Sequence, residues 1–546
     1  MPTEVTEPSP SLKPMPMAAV PGASATAANP AAADLARGGA KVYGFCSIET
    51  FCNQGGLSLT HDDAYGFWDY VRRFTPPNFW YQDAGVKPWQ YYEDYDNWQD
   101  TYGADAVKVF YHSGHGGMGS DGTFYLPMGA DWGGLGCTAT SNNMRLGNEY
   151  LRYLFLSTCL SLRYTGGMSP IRTWDAANLG LRMIFGFETV SYDNANYGRY
   201  FFEEWNRNKS LSQSWLDSSW RIAHNQGPTV AACGATQAEA QGRLFNERYF
   251  SAQAASKNWW WWRWYNAALQ REVRTTMPPT PQFADLAPAA RAAQALFERF
   301  ELGGPVAGDG SASFEDGDRA FSLSTDGSYS VRLAHPNLEN RTAPSAASVR
   351  GIAERIVDRL SLRGDSQLVL DRVISAEAAG GTNQGSGEMS DTRTTETIVQ
   401  YRQLIDGIAV ITPGSGTLRV AIDNDGTVTR VDGSLRDVRA LSSSGRMTPP
   451  QRPDTAAGDS HAAEGAPDTQ SPEETVLGVA TGTTLRAIVG RGKGGGPVGF
   501  SVVPGSTEVG YDLAGDTAEL IATRSIEVDF GSGYKKLYRI DARLDG

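Results

Sequence analysis

All 14 tryptophans lie between Trp68 and Trp264 and all five cysteines between Cys46 and Cys233, and neither residue type occurs afterwards. A chain of 546 residues divided in this way does not build one uniform core; its length implies about two to four domains. One break falls at Met277-Pro278-Pro279-Thr280-Pro281, where successive prolines remove backbone donors and favour an extended connector. A second falls between Leu441 and Pro472, a stretch of Ser, Gly, Ala, Pro and acidic residues with little to bury. The expected order is a flexible tail over 1–40, a first domain over 41–276, a second over 281–440, a disordered linker over 441–472 and a last module over 473–546.

Hydrophobic residues make up 40% of the chain and aromatics 11%, enough for sizeable cores. The net charge of −13 argues against a nucleic-acid partner, because phosphate binding needs a basic face and no dense Lys/Arg run exists. No transmembrane span is expected. The Ala- and Pro-rich start lacks a basic region leading into an apolar run, so no secretory signal is recognisable and the compartment stays open. Five cysteines leave at least one thiol over if the others pair.

Between residues 41 and 276, short apolar runs alternate with amphipathic helical patterns. Lys41 to Ile48, Ala106 to Tyr111, Tyr153 to Leu156 and Leu181 to Phe187 read as strands buried on both faces. Thr60 to Phe74 reads as a helix with Thr60 as N-cap and Asp62 and Asp63 in its first turn. The pattern predicts an α/β domain with a mostly parallel sheet flanked by helices. The later chain carries a helix over Ser345 to Leu360 and then short strands at Gln367 to Ile374, Thr397 to Tyr401, Ile408 to Ile411, Thr417 to Ile422 and Thr427 to Val431. Asn424-Asp425-Gly426 supplies a turn, and the expectation is α+β with antiparallel sheets.

Two strand ends carry chemistry. His112-Ser113-Gly114-His115-Gly116-Gly117 follows one apolar run, and Ser157-Thr158-Cys159-Leu160-Ser161 follows the next. In open α/β sheets the carboxyl ends of strands line the reactive crevice. The separation, 159 − 115 = 44 residues, is long enough for a crossover that returns the chain parallel to its start. A cysteine nucleophile needs a base for its proton and an amide leaving group needs an acid, and histidine serves both. Gly116 lets its N–H approach a carbonyl closely, and with the Cys159 N–H it would form an oxyanion hole, each donor contributing about 3 kcal/mol. Taken alone, a buried cysteine is a small core residue and a His-Gly pair is a turn. His112 is the rival to His115, and a metal site using His112, His115 and a cysteine is the other alternative, although its spacing fits no standard zinc pattern.

Tyr111 to Gly117 and Leu154 to Leu160 resemble the peptidase clan of caspases, gingipains, legumain and separase, and specifically its bacterial members. The resemblance implies a caspase-hemoglobinase-like sheet, His115 as catalytic histidine, Gly116 with Cys159 as oxyanion donors, Cys159 as nucleophile and no cofactor. Thr158 stands where the clan often has alanine. The strand Leu181 to Phe187 would end beside the dyad and bring Glu188, Tyr192 and Asp193 near the substrate pocket, where an inward carboxylate favours Arg or Lys; solvated loop acids are the plainer reading.

The run Trp259-Trp260-Trp261-Trp262-Arg263-Trp264-Tyr265 would form a large apolar patch if exposed, so packing against either half of the chain is expected in preference to a membrane or glycan surface. Thr397 to Val410, Leu418 to Ile422, Asp425-Gly426 and Val431-Asp432-Gly433 are similar to the propeptide domain of thermolysin- and fungalysin-type proteases. The ending Lys536 to Ala542 is similar to the last strand of the related PepSY-type repeat. That likeness is the one hint of an extracellular setting. No His-Glu-x-x-His occurs, so the region would instead assist folding of the cysteine peptidase or cover its crevice. The expected function is endopeptidase cleavage of a protein or peptide substrate, with self-processing of a zymogen as a variant. The alternative is a non-catalytic caspase-fold binding or scaffold protein.

Overall fold

The computed structural model describes residues 42–93, 96–266, 282–287, 292–302, 311–384, 389–443, 471–489, 496–514 and 517–544. The expected tail over 1–40, the proline-rich break at 277–281 and the linker segment 444–470 lie outside these residues.

In the first half the central strands are β1 (Tyr43–Ser47), β2 (Phe79–Gln82), β3 (Val109–Ser113), β4 (Tyr153–Ser157), β5 (Met183–Phe187), β6 (Pro228–Gly234) and β7 (Trp259–Tyr265). Their order is β2-β1-β3-β4-β5-β6-β7, with β2 through β5 in that order running parallel and β6 and β7 added antiparallel. Both faces are covered, and the period of two along each strand divides the side chains between two cores. Phe110, Leu154 and Ile184 pack on one face. Val109, Tyr111, Phe155 and Phe185 pack on the other, against Phe67, Phe201 and Trp215 from the helices Thr60–Val71, Tyr197–Trp205 and Leu211–Trp220.

The helix Thr60–Val71 differs from expectation at its start. Leu59 holds the cap position and no side chain caps it. Asp63 is buried, accepting bonds of 2.8 Å from both the Tyr111 and Ser113 hydroxyls and 2.9 Å from the Gly198 N–H. Asp63 does lie in the first turn as expected, and because that turn packs over β3 its carboxylate is also taken up by core hydroxyls.

The tryptophan run is a central strand. β7 pairs with β6 on one side and with β8 (Gln367–Thr382) on the other. Most of its partners on β8 are small: Trp260 faces Gly381, Trp261 faces Gly380, Trp262 faces Ala379 and Tyr265 faces Ala376, while Trp264 faces Glu377. A Cβ on Gly380 would lie 2.4 Å from the Trp261 ring, so only glycine leaves room for that indole. This pairing explains why β8 continues past Ile374 to Thr382. The sheet then runs on without interruption through antiparallel strands Arg393–Ile405, Thr417–Asp423, Val428–Gly433 and Tyr329–Arg332. The helix Ala346–Arg359, N-capped by Ser345, buries Val349, Ala353 and Val357 on it. The result is a mixed α/β fold built on one large mixed sheet.

Charge also joins the halves. Lys209, buried, lies 2.6 Å from Glu204, 2.8 Å from Asp217 and 3.3 Å from Asp432, while Arg419 lies 3.0 Å from Asp217.

A second sheet is centred on β9 (Thr517–Asp529), which forms a hairpin with β10 (Lys535–Arg543). Strands Gly499–Val502, Glu508–Ala514 and Gln282–Ala287 also pair with β9. The turn of the hairpin, Phe530 to Tyr534, closes through Phe530 N–H to Tyr534 C=O at 2.9 Å, with Gly531, Ser532 and Gly533 all at positive φ. Among the described residues no helix is long and apolar enough to cross a membrane.

Candidate functional site

β3 and β4 are hydrogen-bonded neighbours, and Ser113 and Ser157 are partners in their register. His115 lies two residues beyond Ser113 and Cys159 two residues beyond Ser157, so parallel pairing delivers both to one edge of the sheet at the same height. Gly114 N–H donates to the Ser157 carbonyl at 3.4 Å and ties the two loops together. Gly116 closes the gap between them, because a Cβ there would lie 2.5 Å from the Cys159 carbonyl oxygen and 2.9 Å from Thr158 Cβ. Leu160, next to Cys159, is a non-glycine residue at φ 59°, held by its N–H to the Thr189 carbonyl at 3.1 Å. The thiol therefore sits at a sharp, specified turn.

The Cys159 sulfur accepts from Ser191 N–H at 3.3 Å, lies 3.5 Å from Ser191 Oγ and donates to the Lys535 carbonyl at 3.1 Å. The His115 ring packs 4.7 Å from Phe51 and 4.7 Å from Phe530, with Tyr534 at 6.1 Å. Its Nε2 is 3.0 Å from the Gly55 carbonyl and so carries the proton, which leaves Nδ1 with its lone pair; Nδ1 has no hydrogen-bond partner among the described residues. Burial, and after it the Lys536 charge, push His115 down to about 3 against the opposing pull of the Gly55 bond. His112 is pushed down to about 3 by the same two causes, and its Nδ1 is taken by the Tyr91 hydroxyl at 2.7 Å.

His115 and Cys159 thus meet one object, the β9–β10 hairpin, which leaves them 0% and 1% exposed. Its docking is strand-like: Leu537 N–H donates to Ser191 C=O at 3.1 Å, and Asp193 N–H donates to Leu537 C=O at 3.0 Å. The Tyr192 hydroxyl donates to Asn225 at 2.7 Å and contacts Ser525 Oγ at 2.5 Å. Asp193 accepts from Ser58 N–H at 2.8 Å and Leu59 N–H at 3.2 Å; burial raises its carboxyl, and Lys536 is the first influence opposing that. Glu188 is turned to the loop after Cys159, accepting from Tyr164 N–H at 2.5 Å and from the Thr165 hydroxyl. Tyr192 and Asp193 therefore adjoin the hairpin, whereas Glu188 braces the loop beside it.

Several contributors carry no signal in the sequence. Ser191 holds the sulfur, Gly55 orients the imidazole and Lys536 supplies the charge that three site residues feel. At the tip of β1, Ser47 Oγ lies 2.7 Å from His61 Nδ1, and His61 Nε2 lies 3.2 Å from Asp83. Ser47 is buried and accepts from Trp80 Nε1 at 2.9 Å, so this chain of bonds fastens the neighbouring loop. Cys52 and Cys137 form a disulfide, while Cys46, Cys159 and Cys233 are free. No group of three or more His, Cys, Asp or Glu among the described residues is arranged to hold a metal ion.

Residues 43–265 match a family described as a domain of unknown function (DUF6345). No curated protein matches the chain. The matched segment begins at β1 and ends with the last residue of β7, so it contains both strand tips of the site.

Proposed function

We propose that residues 43–265 are a caspase- and gingipain-like cysteine peptidase domain in which Cys159 is the nucleophile and His115 its acid and base. The observation that carries this reading is the matched offset of the two residues from the Ser113 and Ser157 register pair, with Gly116 pressed against Cys159. Nδ1 of a neutral His115 can take the thiol proton; Cys159 Sγ then adds to the substrate carbonyl carbon, with its oxyanion met by the N–H groups of Gly116 and Cys159. The C–N bond breaks as His115 returns the proton to the leaving amine, and water hydrolyses the thioester to a carboxylic acid and the free thiol.

A second reading, a non-catalytic scaffold, draws on the covering of both residues by the hairpin and on the contact of His115 Nε2 with Gly55. Thiol labelling separates the two. Cys46 is an internal control, because burial pushes its thiol up to about 12. Under the peptidase reading a peptidyl acyloxymethyl ketone labels Cys159 ahead of Cys46 and Cys233, and His115→Ala slows that reaction about 100-fold. Equal labelling of the three thiols, unaffected by His115→Ala and persisting when Lys536→Met loosens the hairpin, establishes the scaffold.

A further inference from the structure

The β9–β10 hairpin shows how the site receives a chain. Beside the thiol, Leu537 makes two main-chain hydrogen bonds with the segment Ser191 to Asp193, at 3.1 and 3.0 Å, an isolated bridge with the pairing by which an extended peptide adds to a strand. Main-chain bonds of this kind accept any sequence, so selectivity must come from side chains. Here one side chain stands out. Lys536 is 1% exposed, and a buried ammonium is costly unless it is partnered. Its Nζ lies 3.0 Å from Ser191 Oγ and 3.5 Å from the Tyr192 carbonyl, with the Asp193 carboxylate near enough to feel its charge. The neighbouring Lys535 differs: its ammonium is half-exposed and lies 2.7 Å from Glu527 of its own hairpin, while its carbonyl accepts from the Cys159 thiol.

We propose, building on the reading of Cys159 as nucleophile, that Ser191, the Tyr192 carbonyl and Asp193 form a pocket for a basic side chain, and that Lys536 of this chain's own C-terminal hairpin is its occupant. The site then selects extended peptides that carry lysine or arginine beside the bond under the thiol, and the hairpin is a built-in competitor that must leave before such a peptide enters. Each component has a distinct part. Ser191 and the Tyr192 carbonyl take ammonium protons, the Asp193 carboxylate lies near enough to feel the charge, and Phe530 and Tyr534 seal His115 from water.

The test uses the full chain with Cys159→Ala, so that binding is read without chemistry. Lys536→Met keeps the length and apolar stem of the side chain and removes its charge. Fluorescence anisotropy then compares a labelled hexapeptide containing one lysine with the same peptide carrying leucine or glutamate at that position. The expected result is that the lysine peptide binds the Lys536→Met protein at least tenfold more tightly than the other two, and at least tenfold more tightly than it binds the protein retaining Lys536. Hydrogen exchange at the Leu537 N–H, measured alongside, is expected to accelerate in Lys536→Met while tryptophan fluorescence stays native. Equal affinity for the three peptides, or no lysine-peptide binding once Leu537 exchange has accelerated, overturns the pocket; so does Leu537 exchange that is unchanged by the substitution. If Lys536→Met disrupts the native fluorescence, Lys536→Arg decides, since retained closure with a guanidinium supports a basic pocket and loss of closure refutes it. The nucleophile reading fails separately, by Cys159 not labelling ahead of Cys46 in Lys536→Met with Cys159 present, whatever the peptides do.

Discussion

Lowering the pH should weaken the first half of the molecule through His115, and the size of the effect follows from its surroundings. In the folded chain the imidazole is held near 3 by burial and by Lys536; in an unfolded chain histidine titrates near 6.5. Between those values the unfolded state binds a proton that the folded state refuses, so stability is full above about 6.5 and falls as the pH drops toward 3. The slope is about 1.4 kcal/mol per pH unit once the pH is well below 6.5, which gives a loss of about 2 kcal/mol on going from pH 7 to pH 5. All 14 tryptophans lie between Trp68 and Trp264, so indole fluorescence during urea unfolding reports this half specifically. His115→Gln keeps an N–H donor for the Gly55 carbonyl and removes the titration. Carboxylates such as Asp63 and Asp193 titrate alike in both proteins, so the difference between the two pH dependences isolates the imidazole. The variant should lose about 2 kcal/mol less than wild type between pH 7 and pH 5. Identical losses would mean that His115 is accessible to protons in the folded state, and the sealing role assigned to Phe530 and Tyr534 would fall with it.

Two further substitutions probe the frame that holds the site. Gly380→Ala places a Cβ 2.4 Å from the Trp261 ring, and the resulting overpacking should cost about 1–3 kcal/mol in urea unfolding and shift the tryptophan emission; an unchanged spectrum and midpoint would show that β7 and β8 are not so closely apposed. Asp217→Asn removes the charge shared by Lys209 and Arg419, taking from Arg419 its ion-pair partner and leaving Lys209 with Glu204 and Asp432 only. Burial alone would raise the Asp217 carboxyl, but Lys209, Arg419 and Arg430 hold it well below the usual range, so the substitution should cost about 3–5 kcal/mol near neutral pH and progressively less in acid. A loss under 1 kcal/mol would refute the network as the link between the halves.

What could be read from the sequence follows the range of the interactions. The strands β1, β3, β4 and β5 announce themselves because burial on both faces demands an apolar run, and the tips of β3 and β4 are marked by His115-Gly116 and by Cys159. Parallel neighbours share an edge, so the meeting of these two tips is a consequence of topology and needs no tertiary information. The cap of the helix Thr60–Val71 was not legible, because Asp63 is claimed by Tyr111 and Ser113 from a strand about 50 residues away. Nor was the length of β8, which depends on the small residues Ala379, Gly380 and Gly381 meeting the indoles of β7.

The covering of His115 and Cys159 lies further from local pattern still. Cys159 and Lys535 are 376 residues apart, and nothing in Phe530 to Leu537 distinguishes a hairpin that ends in solvent from one that enters a cleft. The structure supplies the distinction through mismatch of environment: Lys536, a residue type that is nearly always solvated, is buried, while Lys535 beside it remains half-exposed. Alternation along a strand puts neighbours on opposite faces, so one lysine was bound to face the cleft once the hairpin docked. A hairpin serving only as structural cover would gain more from an apolar residue there, which avoids the desolvation of an ammonium. Under the pocket proposed above, lysine at that position has a reason: it fills a groove shaped for a basic side chain, and it would leave the closed state open to competition by a peptide that offers the same group.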